Sequence, residues 1–159
     1  MIQAITETNL DVYLQTLDNK ISLLANGQLR YLWKFTNKMS KQVYYNYAAT
    51  EGKKERYNTF GFSYNETRGI YTGRINFIPS GYWTYEVYEV AWIGTVTISD
   101  GYAPKNETDV LFPPANDKGI TQGLVTKGIM YVADKAGEEQ VQYTQHPQTS
   151  GTNYIWYGD

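Results

Sequence analysis

From Tyr82 to Val87 apolar and polar positions alternate without a break. Trp83, Tyr85 and Val87 share one parity; Tyr82, Thr84, Glu86 and Tyr88 share the other. A period of two is that of a strand with one buried face and one wetter face. The run opens on Pro79-Ser80-Gly81, a turn signal. Residues 29–36 alternate likewise, with Leu29, Tyr31, Trp33 and Phe35 opposite Arg30, Lys34 and Thr36. A polar stretch at 37–41 then leads to 43–48, and the pair reads as a β-hairpin. Further strands are expected at 57–64 (interrupted by Gly61), at 72–78, and at 92–98, the last with a kink at Gly94. Residues 124–132 place Leu124, Thr126, Gly128, Met130 and Val132 on one side and Val125, Lys127, Ile129 and Tyr131 on the other. Weaker extended segments are expected at 2–5 and 12–17, and a short strand at 140–145. No window carries the 3.6-residue period of a helix.

Turn signals recur every eight to twelve residues, the spacing of a sandwich or Greek-key barrel. The fold class expected is all-β: an immunoglobulin-like or related antiparallel β-sandwich with a long loop and an extended C-terminal tail. The organising strand, Gly81-Tyr82-Trp83-Thr84-Tyr85-Glu86-Val87, resembles the Gly-x-Tyr-x-Cys strand of immunoglobulin-like sandwiches. That resemblance gives Trp83 the corner place and Tyr85 the core place. One domain is expected over 1–137, with an inserted loop at 99–123 rich in Pro and Gly. Residues 138–159 are expected to be a C-terminal extension or final strands. The charge run 50–56 reads as a solvated loop.

Composition narrows function more than fold. The 159 residues carry no cysteine, so neither a disulfide framework nor a cysteine zinc site is available. A net charge of −2 supplies no field for nucleic acid or an anionic membrane. The first residues lack the pattern of a signal peptide, and no apolar run approaches a membrane span. Sixteen tyrosines are the outlying number. Tyrosine combines large contact area with few rotatable bonds and a polar tip, so it suits protein contacts as well as strands.

Candidate chemistry is sparse. The lone histidine, His146, precedes a proline in a polar stretch, poorly placed for a Ser-His-Asp arrangement. Asp100, Asp109 and Asp117 are the conceivable calcium ligands, without the spacing of a known loop. Glu86 and Glu89 are three apart on a strand and face opposite ways. Asn65-Glu66-Thr67 and Asn106-Glu107-Thr108 fit the glycosylation pattern, read here as chance. No catalytic residue, metal ligand or cofactor is expected. Two features look like contact surface: Tyr154-Ile155-Trp156-Tyr157 near the chain end, and the 99–123 loop with Pro113 and Pro114.

Several stretches taken together resemble small virion structural proteins of tailed phages, of the crAss-like and Bacteroidetes podovirus type. They are Lys54-Glu55-Arg56-Tyr57-Asn58 with Pro79-Ser80-Gly81-Tyr82-Trp83-Thr84-Tyr85-Glu86-Val87-Tyr88-Glu89, supported by Tyr31-Leu32-Trp33-Lys34-Phe35 and Gly128-Ile129-Met130-Tyr131-Val132. The resemblance covers most of the chain outside 99–123. It implies a non-enzymatic β-sandwich of the virion, assembled in the host cytoplasm. The role it implies first is an auxiliary or decoration protein on the capsid lattice; the alternative is a neck or tail adaptor. Its partners would be the major capsid protein or portal and neck proteins, with self-association possible. From other classes, a carbohydrate-binding module would need an exposed aromatic platform from Trp83, Trp92 and nearby tyrosines. A polysaccharide-degrading enzyme would need two carboxylates across a cleft.

Overall fold

The structure is a computed structural model that describes residues 1–111 and 117–135. These form nine strands: β1 (Ile2–Ile5), β2 (Leu10–Leu14), β3 (Leu29–Asn37), β4 (Val43–Tyr47), β5 (Thr50–Lys53), β6 (Asn58–Tyr64), β7 (Arg74–Ile75), β8 (Gly81–Ala91) and β9 (Ile120–Ala133). Two sheets result. One has the order β1-β9-β8-β3-β4; the other has β2-β6-β5, with β7 alongside β6. Pairing is antiparallel except for β1 with β9 and β6 with β7.

The expected alternations make the core. Trp33, Phe35, Trp83, Val87, Met130 and Val132 face inward from the first sheet, and Val12, Phe60 and Phe62 meet them from the second. Trp33 is the hub: its ring lies 5.1–5.7 Å from those of Phe35, Phe60, Phe62 and Tyr85. Each such aromatic pair adds about 0.5–1.5 kcal/mol beyond area burial. The hairpin of β3 and β4 forms with Lys34 opposite Tyr45 and Leu32 opposite Tyr47. Trp83 is fully buried, and its Nε1 donates to the Pro79 carbonyl at 3.0 Å.

A second, smaller core lies on the outer face of the five-stranded sheet, built on Leu32, Tyr47, Val90, Trp92 and Ala103. It explains two departures from expectation. Residues 92–98 do not form a strand: β8 ends at Ala91 opposite Leu29, where β3 begins, so no neighbour remains to pair with. Trp92 N–H takes the last bond, to Gln28 O at 3.0 Å, and Val96 and Ile98 pack with the Trp92 ring on the outer face. Residues 99–111 and 117–119 are likewise not a loose loop, because they pack on the sheet. Tyr47 OH donates to Pro104 O at 2.7 Å, and Gly119 N donates to Tyr102 O at 2.8 Å. Strand β3 is therefore covered on both faces.

Other corrections are local. Strand β9 starts four residues before Leu124, and two irregularities break its phase. Val87 pairs with Thr126 and Tyr88 with Leu124, leaving Val125 as an extra residue. That bulge turns Val125 inward and Leu124 outward, the reverse of unbroken alternation at those two positions. The strand expected at 12–17 is β2, which ends at Leu14 before a 3-10 turn at Leu17–Asn19. Of residues 72–78, only Arg74 and Ile75 pair as strand. Gly73 (φ 71°) packs so closely on the Ala49 backbone that a side chain there would collide with it. The charge run 50–56 is not all solvated loop, because Thr50–Lys53 is β5. Pro113, Pro114 and residues 138–159, including Tyr154, Ile155, Trp156 and Tyr157, lie outside the described residues.

Candidate functional site

Trp83 and Trp92 are both fully buried, so they form no exposed aromatic platform. Glu86 and Glu89 do part company across the sheet, and each heads a separate polar cluster.

Glu86 stands on the outer face. There Lys34 Nζ lies 3.7 Å from Glu86 Oε2 and 2.7 Å from Glu107 Oε1. Tyr45 OH donates to Glu107 Oε2 at 2.5 Å. Burial pushes the Glu107 carboxyl up, but the bonds from Lys34 and Tyr45 outweigh it and hold it below the ordinary range. The bond to Glu107 raises Lys34 in turn, while burial and then Glu107 lift Tyr45 to about 12. This network clamps residues 99–111 onto β3 and β4. Asp100 pairs with Lys105 at 3.1 Å, and Asp109 accepts the Lys105 N–H at 3.0 Å. Among the described residues no three His, Asp or Glu side chains gather to hold a metal ion.

Glu89 has the parity of Trp83, Tyr85 and Val87, and it is fully buried at the inner end of β8, beside Tyr31 across the sheet. Its carboxylate accepts the N–H groups of Ile21 (3.2 Å) and Ser22 (2.8 Å). Those residues belong to the strap 15–28, which crosses this end of the sandwich between β2 and β3. Asn19 Nδ2 fixes the strap to Val125 O at 2.9 Å. Lys53 Nζ, from β5, donates to Leu29 O at 2.7 Å and to Asn26 O. Its neighbour Glu51 reaches across the core, and Oε1 accepts the Tyr31 N–H at 3.2 Å. Glu51 Oε2 is buried with no donor. Burial pushes the Glu51 carboxyl up to about 7, against the pull of Lys53, the Tyr31 N–H and Arg30. Burial brings Lys53 down to about 8, with Glu51 opposing.

These polar anchors have an apolar consequence. With the Ile21 and Ser22 N–H groups held from beneath, the Ile21 and Leu23 side chains are left outward. Leu23 stands fully exposed and Ile21 half exposed. Ile93 and Ile120, from the two ends of the β8–β9 connection, are also about half exposed. With Leu24 and Ala91 they line a groove of about 450 Å³ at the loop end. Three separate segments thus hold apolar groups in solvent at one place. Exposed apolar side chains scattered singly are normal; a contiguous set marks a contact site.

No family model, no curated protein and no solved structure matches this chain.

Of the residues marked in the sequence, Trp83 and Tyr85 enter the core and Glu86 joins the clamp. The loop-end groove and the Glu51, Lys53 and Glu89 anchors were missed. A signal for Glu89 existed, since continuing the alternation two residues past Val87 puts a carboxylate inside. No comparable signal marks Ile21 and Leu23, whose exposure follows from hydrogen bonds that the Ile21 and Ser22 N–H groups donate to the Glu89 side chain, 68 and 67 positions away.

Proposed function

We propose that this chain is a non-enzymatic assembly part of a phage virion, an auxiliary or decoration protein that binds the capsid lattice through the loop end of an immunoglobulin-like sandwich. The observation that carries a binding role is the groove of Ile21, Leu23, Ile93 and Ile120, held in solvent by buried anchors. The virion setting rests on the resemblance of the Glu55-to-Asn58 and Gly81-to-Glu89 stretches to phage structural proteins.

Three features support the immunoglobulin-like assignment. In strand order, β2-β6-β5 takes the places B-E-D, and β9-β8-β3-β4 takes G-F-C-C′. Trp83 lies near the start of the F-type strand and bonds back to a carbonyl four residues upstream, much as the corner tyrosine bonds back in that fold. The buried Trp33 lies on the C-type strand. Strand β1 departs from the constant-type arrangement, joining β9 rather than β2.

Co-sedimentation with capsid shells tests the role. The wild-type chain is expected to pellet with shells, and Leu23→Asp to reduce that binding at least tenfold, with an unchanged melting temperature. Cryo-EM of the particle then distinguishes lattice from neck. Binding to shells that ignores the Leu23 substitution, or binding to glycans in place of shells, overturns the reading.

A further inference from the structure

No described segment fills the groove at the loop end. Its lining residues carry no charge. Lys20 adjoins Ile21 and, like Arg30, lies near Lys53. The carboxylates beneath, Glu51 and Glu89, are directed to backbone N–H groups, and Asp18 is the strap's single acid. The lining therefore favours an apolar segment.

The chain itself contains one. After Lys135 come 24 residues that carry Glu138, Glu139 and Asp159 and no Lys or Arg. Near their end stands Tyr154-Ile155-Trp156-Tyr157, four large apolar side chains in a row. We propose that this segment of one copy occupies the Ile21–Leu23–Ile93–Ile120 groove of the next copy, linking molecules head to tail. The inference rests on the assembly reading above and names a partner for the same surface.

Geometry favours the next copy over the same one. The groove lies at the Ile120 end of β9, and the chain leaves the described body at the other end, beyond Ala133. Fourteen strand residues separate these ends by roughly 45 Å. Residues 136–153 reach roughly 60 Å when fully extended, so a return within one molecule stretches them to about three-quarters of their limit. A copy stacked end to end brings its groove to the exit instead. The contact joins two different surfaces, so it is heterologous and leaves one groove and one tail open at the ends of any unclosed assembly.

Complementation tests this directly. Sedimentation velocity is run on the full chain, on Leu23→Asp, on a chain ending at Gln148, and on an equimolar mixture of the two variants. Trp156→Ala replaces the truncation if the latter fails to fold. The full chain is expected to grow in size with concentration in the roughly micromolar range, while each variant alone stays monomeric. The mixture is expected to form a one-to-one dimer and nothing larger, because one variant lacks a working groove and the other a tail. A mixture that stays monomeric overturns the proposal. So does a full chain that stays monomeric across the range, the result expected of a tail seated in its own groove. Shell binding is measured separately; shells that capture a chain whose variants do not complement leave the assembly reading standing and remove the head-to-tail contact.

Discussion

Glu51 is a carboxyl whose surroundings take it well away from its ordinary chemistry. Its folded-state pKa is raised to about 7 by burial. A carboxyl raised in this way contributes stability that is fully present below its unfolded value of about 4.5 and lost as pH rises through 7. Lys53 is the mirror case. Its lowered value of about 8 gives stability present above about 10.5 and lost as pH falls through 8. Both contributions are therefore at their weakest between pH 7 and 8. Denaturant unfolding at pH 5 and pH 7.5 should show Glu51→Gln gaining on wild type at the higher pH; equal differences at both would place the carboxyl in water. Trp83 supplies a second test. Fully buried and bonded to Pro79 O, it should cost about 3–5 kcal/mol on substitution by Ala, and a near-neutral result would contradict its burial. The parity of Trp83 was legible because Tyr85 and Val87, two and four positions on, are aromatic and branched. Glu89 shares that parity and went unread because a carboxylate is normally a surface residue; only its two backbone donors account for it.

Strand β9 separates what alternation can and cannot deliver. From Thr126 to Val132 the expected inner side is the observed one, because each residue pairs in register with β8. At Val125 an extra residue enters opposite Val87 and Tyr88, and a period-two pattern carries no mark of it. Leu124→Asp and Val125→Asp should accordingly differ. The first puts a charge in water and should stay within about 1 kcal/mol; the second buries one and should cost several. Melting curves of the two variants decide it, and equal losses would remove the bulge. Residues 92–98 show a different limit. Ile93, Val96 and Ile98 have strand propensity, but a strand needs a neighbour, and β3 supplies none beyond Leu29. The groove residues were hidden for a related reason: where Leu23 points depends on Glu89, and that contact exists only after the sheets have packed.

At the scale of the molecule, two cores share one sheet. The inner core ties the two sheets together; the outer core ties residues 92–111 to the back of β3, β4 and β8, with Lys34 and Glu107 as its polar clasp. Glu107→Ala should free the loop without melting the sandwich. The expected sign is faster proteolysis within 99–111 and a melting point changed by only a few degrees; unchanged proteolysis would mean the apolar contacts hold the loop alone. Because β3 has a packed layer on either side, water reaches its main chain only when both layers have come away. Its amide protons should therefore be the last to exchange for deuterium, later than those of β1 or β5, and their rate should report opening of the whole fold and not of any single edge.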